Sequence, residues 1–217
     1  MNGTKDWTFK DEKLAQNFDN HVREQLPWYD FATQATAFIT RSYAPKNGLI
    51  YDIGASTGNI GKALTPLIEE RDMRFFAIEE SEELADNYKG GIGKLIIDDA
   101  MDVEYEPFDV AIFFLSFMFM SVNKRGKFLD DLMAKCNYGG AIILVEKMEA
   151  EEGYAGTTIR RLTMDWKMQN AVKPADIVAK ELQLCGIQRP VMKQEMPFNA
   201  VEFFRLGEFA GYILEKR

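Results

Sequence analysis

The fold of this chain is decided by residues 51–58, which read Tyr51-Asp52-Ile53-Gly54-Ala55-Ser56-Thr57-Gly58. An apolar run over 49–51 ends in the acid Asp52, a loop of small residues follows, and a helical pattern opens at Asn59. This order predicts a strand, a tight turn and a helix. Such a turn brings backbone amides close to a ligand at the carboxyl edge of a parallel sheet. The stretch therefore predicts a site for a nucleotide-like ligand.

The segments around this stretch alternate between strand and helix patterns, which indicates an α/β fold with a parallel sheet. The predicted strands are 49–53, 74–78, 94–97, 109–115 and 140–146, and the predicted helices between them are 59–70, 81–88 and 124–136. The runs 110–115 and 141–145 within two of these strands are almost wholly apolar, as expected when both faces of a sheet are buried.

The two ends of the chain carry different patterns. Helices are predicted at 11–26 and 30–43, then near 155–170 and 174–185. Strand-like runs are predicted around 188–196 and 208–215, joined by a loop that contains Phe198, Phe203 and Phe204. We expect a single ligand-binding domain over 1–217. Its parts are a helical cap (1–45), a core (46–147) and C-terminal helices with edge strands (148–217).

Composition narrows the class of protein. The 217 residues carry a net charge of −8, which disfavours a broad phosphate-binding surface and hence a nucleic-acid partner. The longest apolar run, 110–120, is too short to span a membrane. Cys136 and Cys185 lie far apart in apolar contexts, and the polar start does not resemble a signal peptide, so we expect a cytoplasmic protein. We expect no metal site.

Three kinds of glycine loop compete for residues 54–63. A P-loop needs Gly at 56 and a hydroxyl at 63, where the chain has Ser56 and Ala63. A dinucleotide loop needs Gly at 56 and 59, and position 59 is Asn. S-adenosylmethionine has no phosphate and needs only a small-residue loop with an acid about 20 residues further on for the ribose. Glu79 ends the next apolar run and meets that need.

A second acidic segment supports this ligand. Asp98-Asp99-Ala100 follows the apolar run 95–97 and is placed to bind an adenine amino group. The alternative interpretation makes Glu79 and Glu80 acids of a helix N-terminus capped by Ser81, and Asp99 a turn residue. Because the loop and both acids follow predicted strands, we favour binding of S-adenosyl-L-methionine.

Several motifs together resemble those of the carboxy-S-adenosyl-L-methionine synthase group, within the class I S-adenosylmethionine-dependent methyltransferase superfamily. The matching motifs are Asp6-Trp7-Thr8-Phe9, Pro27-x-Tyr29, residues 51–58, Ala77-Ile78-Glu79, Gly139-Gly140-Ala141, Glu146-Lys147 and Asp165-Trp166-Lys167. The resemblance implies a Rossmann-like class I methyltransferase fold, which is a mostly parallel seven-stranded sheet with a C-terminal antiparallel strand and an N-terminal helical cap.

The resemblance also implies a set of cofactor contacts. Tyr29 would close over the ligand, the glycine loop would line its amino-acid portion, Glu79 and Glu80 would lie at the ribose, and Asp99 and Ala100 at the adenine. The full predicted set is Tyr29, Asp52, Gly54, Ala55, Ser56, Gly58, Glu79, Glu80, Asp99, Ala100 and Phe114. Phe114 stands where the family has an Asn, which removes one polar contact.

The chain departs from this group after Lys167. The family has a longer helical segment there, with an Arg that pairs with the extra carboxylate of the carboxylated cofactor, and this chain has no Arg between Lys167 and Gly186. A carboxylate in a closed site favours a bidentate Arg. The departure favours ordinary S-adenosylmethionine over the carboxylated cofactor. Whether Arg160 or Arg161 takes the place of the missing Arg is left open.

Catalytic residues are harder to identify, because methyl transfer from a sulfonium needs mainly alignment and a dry site. Our candidates are His21, Glu146, Lys147 and Arg160, each of which also fits a solvated or ion-paired surface position. Residues 117–120 are candidates for an apolar substrate wall, with core packing as the alternative. Trp28 and Tyr29 are candidates for a lid, with anchoring of the cap as the alternative.

These observations predict a methyltransferase with a small-molecule acceptor. The alternatives are a carboxy-S-adenosylmethionine synthase that uses prephenate, and a non-catalytic sensor or assembly protein. A homodimer is left open.

Overall fold

The computed structural model describes Thr8, residues 12–197 and residues 199–217. The helices are α1 (Glu12–Gln16), α2 (Phe18–Gln25), α3 (Tyr29–Tyr43), α4 (Asn59–Arg71), α5 (Glu82–Ala85), α6 (Val122–Lys135), α7 (Gly153–Gln169) and α8 (Pro174–Gln183). The strands are β1 (Leu49–Ile53), β2 (Arg74–Glu79), β3 (Lys94–Ile97), β4 (Phe108–Phe114), β5 (Cys136–Lys147), β6 (Val201–Leu206) and β7 (Phe209–Glu215). Two 3₁₀ turns cover Phe117–Phe119 and Lys193–Glu195. No helix of the described residues combines the length and apolarity needed to cross a bilayer.

The seven strands form one sheet in the order β3-β2-β1-β4-β5-β7-β6. Strands β1 to β5 run parallel, while β7 runs antiparallel to both β5 and β6. The predicted fold class is therefore confirmed. The strand order reverses between β1 and β4, and in such sheets ligands bind at this reversal, outside the carboxyl ends of the strands. The loop that follows β1 begins at this point.

The hydrophobic core has two parts, because successive residues of the buried strands contribute to different clusters. Leu49, Tyr51 and Ile53 belong to one cluster, and Ile50 belongs to the other. The second cluster also holds cap residues such as Tyr29, together with Phe209 of β7. This packing fixes the cap against the sheet.

The N-terminal helix predicted over 11–26 is interrupted, so that prediction is corrected. Asn17 leaves the helical conformation at φ −119° and ψ 18°, and its carbonyl accepts the His21 N–H at 3.0 Å. Its side-chain oxygen accepts from the Asn20 amide at 2.9 Å. Asn17 is therefore the N-cap residue of α2, a position that Asn favours over helix interiors.

The strand predicted around 188–196 does not form, and this prediction was wrong. Val191 makes only an isolated bridge to Met148, and a 3₁₀ turn follows. The Glu195 carboxylate instead accepts from the Arg125 guanidinium at 2.6 and 3.1 Å. The edge strand is β6, so Phe203 and Phe204, predicted in a loop, lie in a strand. Phe198, predicted in the same loop, lies outside the described residues.

Candidate functional site

A cavity of about 410 Å³ opens at the carboxyl ends of β1 to β4, beneath α2 and α3. Every predicted cofactor-binding residue except Gly58 lines it, namely Tyr29, Asp52, Gly54, Ala55, Ser56, Glu79, Glu80, Asp99, Ala100 and Phe114. Thr8, from the motif at 6–9, also lines it, and the other residues of that motif lie outside the described part of the chain. The volume lies in the range of small-molecule sites.

Gly54 and Gly58 allow close packing against different parts of the chain. Gly54 has φ 77°, and a Cβ added there would lie 2.3 Å from the Ser116 Cβ. Glycine therefore lets the loops after β1 and β4 approach each other at the cavity. A Cβ on Gly58, at φ 90°, would lie 2.3 Å from the backbone nitrogen of Gly90. Gly58 thus packs the start of α4 against the segment after α5, and it does not line the cavity.

Glu79 holds the glycine loop in place. Its buried carboxylate accepts the Ser56 N–H at 2.7 Å and the Ser81 N–H at 2.9 Å. Burial raises the pKa of Glu79, against the effect of these hydrogen bonds. Ser81 also caps α5, because its hydroxyl accepts the Leu84 N–H at 3.2 Å. The predicted cap at Ser81 is therefore confirmed, whereas Glu79 ends β2 and the acids in the first turn of α5 are Glu82 and Glu83.

Two buried polar atoms beside this loop have no hydrogen-bond partner among the described residues. They are Oδ2 of Asp52 and Oγ of Ser56, and both residues line the cavity. Burial, followed by the charge of Glu79, raises the pKa of Asp52 to about 8. Buried polar groups nearly always find partners, so an acceptor and a hydroxyl left over in a cavity indicate a ligand with donors.

Asp98 and Asp99 form an exposed turn at the end of β3. The Asp98 carboxylate accepts the Asp99 N–H at 2.9 Å, and the Asp99 carboxylate accepts the Met101 N–H at 2.8 Å. The turn interpretation is therefore correct, and Asp99 and Ala100 line the cavity as well.

An aromatic pair lines the cavity where the cap meets the sheet, with Tyr29 from α3 and Phe114 from β4. The rings of Tyr29 and Phe114 meet edge to face, with centroids 5.4 Å apart, and both side chains are buried. Trp28 does not line the cavity, because it packs against Phe204 and Phe209 at 5.3 and 4.7 Å. Tyr29 thus lines the cavity, while the packing of Trp28 agrees with the alternative that it anchors the cap.

The cavity is lined by more negative than positive charge. Lys124 is the cationic residue that lines it within the described part of the chain. The acidic residues that line it are Asp52, Glu79, Glu80, Asp98 and Asp99. A cationic ligand is electrostatically favoured in such a cavity.

The four candidate catalytic residues do not line the cavity. Lys180 lies 3.0 Å from the His21 ring, and the Lys147 ammonium lies 3.9 Å from Glu181. The exposed Arg160 pairs with Glu208 at 3.6 Å. Arg161 stacks 5.9 Å from the Tyr154 ring and does not line the cavity either. No group of three His, Cys, Asp or Glu side chains within the described ranges is arranged to hold a metal ion.

Glu146, the fourth candidate, holds the backbone next to the cavity. Its carboxylate accepts the backbone N–H groups of Ser116, Phe117 and Met118 at 3.1, 2.8 and 3.2 Å. The sequence places this acid at the end of β5 but does not show that it turns toward the 3₁₀ turn after β4.

We predict that Glu146→Gln flattens the pH dependence of stability. Burial raises the pKa of Glu146 from 4.5 to about 7, so the folded state binds the proton more tightly than the unfolded state. The wild-type free energy of unfolding should therefore fall between about pH 4.5 and pH 7, with about 3 kcal/mol or less from this group. Urea unfolding across this range should show the smaller slope in Glu146→Gln, while the exposed Glu149→Gln keeps the wild-type slope.

Sequence reasoning missed Ser116, the residue that joins the two central strands at the cavity. Its hydroxyl donates to the Ile53 carbonyl at 2.6 Å, and the preceding Leu115 has the strained φ of 60°. Ligands bind outside the carboxyl ends of parallel strands, and both residues directly follow the carboxyl end of β4. Their position at the end of the predicted strand would therefore have indicated them. Of the run 117–120, Phe119 and Met120 line the cavity, and the first two residues are buried in the core.

Comparison with known proteins gives relatives over nearly the whole chain, although no family model matches. The carboxy-S-adenosyl-L-methionine synthase of Staphylococcus epidermidis is 26% identical over 222 residues, which cover 97% of each chain. The protein of the same name from Shewanella piezotolerans is 25% identical over 83% of this chain and 77% of its own.

Two solved structures share the fold. The plantazolicin methyltransferase BpumL, in complex with a desmethyl analogue and SAH, has a TM-score of 0.63 at 14% identity and covers 94% of this chain and 90% of its own. Human N-acetylserotonin methyltransferase, in complex with SAM, has a TM-score of 0.59 at 13% identity and covers 96% of this chain and 57% of its own. The class I methyltransferase fold and the resemblance to the carboxy-S-adenosyl-L-methionine synthase group are both confirmed.

Proposed function

We propose that the cavity binds S-adenosyl-L-methionine and that the protein transfers its methyl group to a small acceptor. The observation that carries the proposal is the pair of unpartnered buried atoms, Asp52 Oδ2 and Ser56 Oγ, on a glycine loop at the reversal of strand order. The cofactor, when bound, supplies a methyl group activated by a positively charged sulfur. Its sulfonium and ammonium charges suit the acidic cavity.

In this proposal the residues of the chain bind the cofactor and orient its methyl group. At the amino-acid end of the cofactor, Asp52 accepts a hydrogen bond and Ser56 donates one. Glu79 accepts a hydrogen bond from the ribose, and Asp99 lies at the adenine end. Tyr29 with Phe114 excludes water from the enclosed end. Alignment and exclusion of water are the main contributions that a methyl transfer needs from the protein.

The test of the reaction is transfer of isotope-labelled methyl groups to a panel of small hydroxy, amino and carboxylate acceptors. Formation of labelled product together with S-adenosylhomocysteine supports the proposal. Tight binding without turnover on any acceptor would favour the non-catalytic sensor or assembly protein instead.

We predict that cofactor binding near neutral pH releases a proton from Asp52. The carboxyl has a pKa of about 8 in the free protein, and a positively charged ligand beside it lowers that pKa. Affinity for S-adenosylmethionine should therefore rise with pH up to about pH 8, by as much as about tenfold per unit. Calorimetry in buffers of different ionisation enthalpy should measure this release.

Asp52→Asn is the matching variant, since it should bind more weakly and release no proton. An unchanged proton release in Asp52→Asn would assign the titration to another group and contradict the role of Asp52.

A second candidate function is carboxy-S-adenosyl-L-methionine synthesis, which the names of the relatives favour. The absence of a guanidinium among the described lining residues weighs against it, because an added carboxylate is best held by a bidentate Arg, and the cation in the lining is the point charge of Lys124. Mass spectrometry after incubation with S-adenosylmethionine and prephenate separates the two functions, since only the synthase yields a carboxylated cofactor.

We also propose that residues 1–217 act as a single cofactor-binding domain in the cytoplasm. Support for the domain comes from the second core cluster, which joins Tyr29 of the cap, Ile50 of the core and Phe209 of the C-terminal part. Support for the location comes from Cys136 and Cys185, which are free thiols.

A further inference from the structure

Three lysines and the single histidine of the chain meet beside the cavity, where α2, β5, α7 and α8 come together. The Lys180 nitrogen lies 3.0 Å from Nε2 of His21. The nitrogens of Lys147 and Lys167 lie 3.9 and 3.4 Å from the two carboxylate oxygens of Glu181. We call these five residues the lysine cluster.

The cluster concentrates positive charge in a poorly solvated place, within a chain whose net charge is −8. The side chains of Lys147 and Lys167 are only 13% and 11% exposed. Burial and then Lys167 lower the pKa of Lys180 to about 8, and burial and then Lys180 lower the pKa of His21 to about 4. Keeping ammonium groups away from water is costly unless they are well paired.

Glu181 is the carboxylate that pairs with Lys147 and Lys167, and both ion pairs are long. Its distances to Lys147 and Lys167 exceed the roughly 2.7–2.9 Å of a charge-assisted hydrogen bond, and its side chain is 41% exposed. The buried Arg125, by contrast, pairs with Glu195 at 2.6 Å. Each lysine carries three N–H donors, so the two that face Glu181 have donor capacity left.

The cluster lies directly behind a wall of the cavity. Val22 and Ile187 line the cavity, and their chain neighbours His21 and Gln188 face the cluster. The Lys147 ammonium donates to the Gln188 amide oxygen at 3.4 Å. The outward side is formed by the half-exposed Glu181, which leaves a route from solvent.

We propose that the lysine cluster binds a small anion through a carboxylate or phosphate group, which takes the place of Glu181 between Lys147 and Lys167. Ammonium groups bind such anions as compact point charges with several donors. Because the cluster is separate from the cavity lining, this inference does not depend on the proposed cofactor or reaction.

The test is an NMR titration of the His21 ring, which needs no assignment because the chain has one histidine. Sodium phosphate and sodium malonate are added separately, with sodium chloride at matched ionic strength as the control. A bound anion should raise the His21 pKa by about one unit in a saturable way, since it offsets the neighbouring ammonium charges. Saturation with one anion alone identifies phosphate or carboxylate as the preferred group.

The variant Lys167→Gln should lose the saturable shift, while Lys62→Gln, exposed on α4, should keep it. Lys147→Gln replaces the first variant if circular dichroism shows that Lys167→Gln is unfolded. A response equal to that of sodium chloride, or a saturable shift that survives the lysine substitution, would overturn the proposal. The cluster would then only join α2, α7 and α8.

Discussion

Replacing Gly54 by Ala is expected to lower the affinity for S-adenosylhomocysteine by about 100-fold or more, equivalent to about 2.7 kcal/mol. The added Cβ would lie 2.3 Å from the Ser116 Cβ, at a backbone φ of 77°. The loops after β1 and β4 must then separate, which displaces Ser56 and the backbone that lines the cavity. Calorimetric titration of both proteins measures the change.

The matched control is Gly139→Ala. Gly139 has a similar φ of 80°, but nothing lies within 4 Å of its added Cβ. It should lose about 1 kcal/mol of stability through backbone strain and keep its affinity. Adding Ser116→Gly to Gly54→Ala removes the clashing atom and should restore part of the affinity. Normal affinity in Gly54→Ala would show that the close approach of the loops is not needed for binding.

Replacing Glu79 by Gln is expected to weaken S-adenosylhomocysteine binding by about 10- to 100-fold. The carboxylate accepts from the N–H groups of Ser56 and Ser81, so the Gln amide must turn a donor toward one of them. The loop then loses its support, and the ribose loses a charged acceptor.

Glu82→Gln is the control for this variant, because Glu82 is an exposed acid in the first turn of α5. It should bind as the wild type does. Equal affinities in the two variants would mean that Glu79 neither supports the loop nor contacts the ligand.

The parallel strands and their carboxyl-end loop could be predicted because local pattern and tertiary burial agree there. The apolar segments 110–115 and 141–145 are almost wholly buried within the sheet, so their composition alone indicates strands. Residues 52–56 are predicted at the site because a turn of small residues after a strand is typical of loops that let a ligand approach the backbone. The strand order that brings β4 beside β1 then adds the hydrogen bond from Ser116 to Ile53, which no local pattern indicates.

The errors lie where tertiary contacts override local pattern. The strand predicted around 188–196 has only Val191, Met192 and Met196 as large apolar residues. Arg125, 64 residues upstream of Arg189, binds the Arg189 carbonyl and Glu195 and holds this segment in a turn. Glu146 was a catalytic candidate from its place at a strand end, yet its carboxylate serves three backbone N–H groups. Side-chain direction at strand ends depends on neighbouring strands, which the sequence does not order.

The most direct measurement is calorimetric titration of the protein with S-adenosylmethionine and S-adenosylhomocysteine, with adenosine triphosphate as the control ligand. Our prediction is saturable one-to-one binding of both cofactor forms at about micromolar to sub-millimolar concentration, and weak or no binding of the triphosphate by the acidic cavity. Absence of binding by both cofactor forms at millimolar concentration would contradict it.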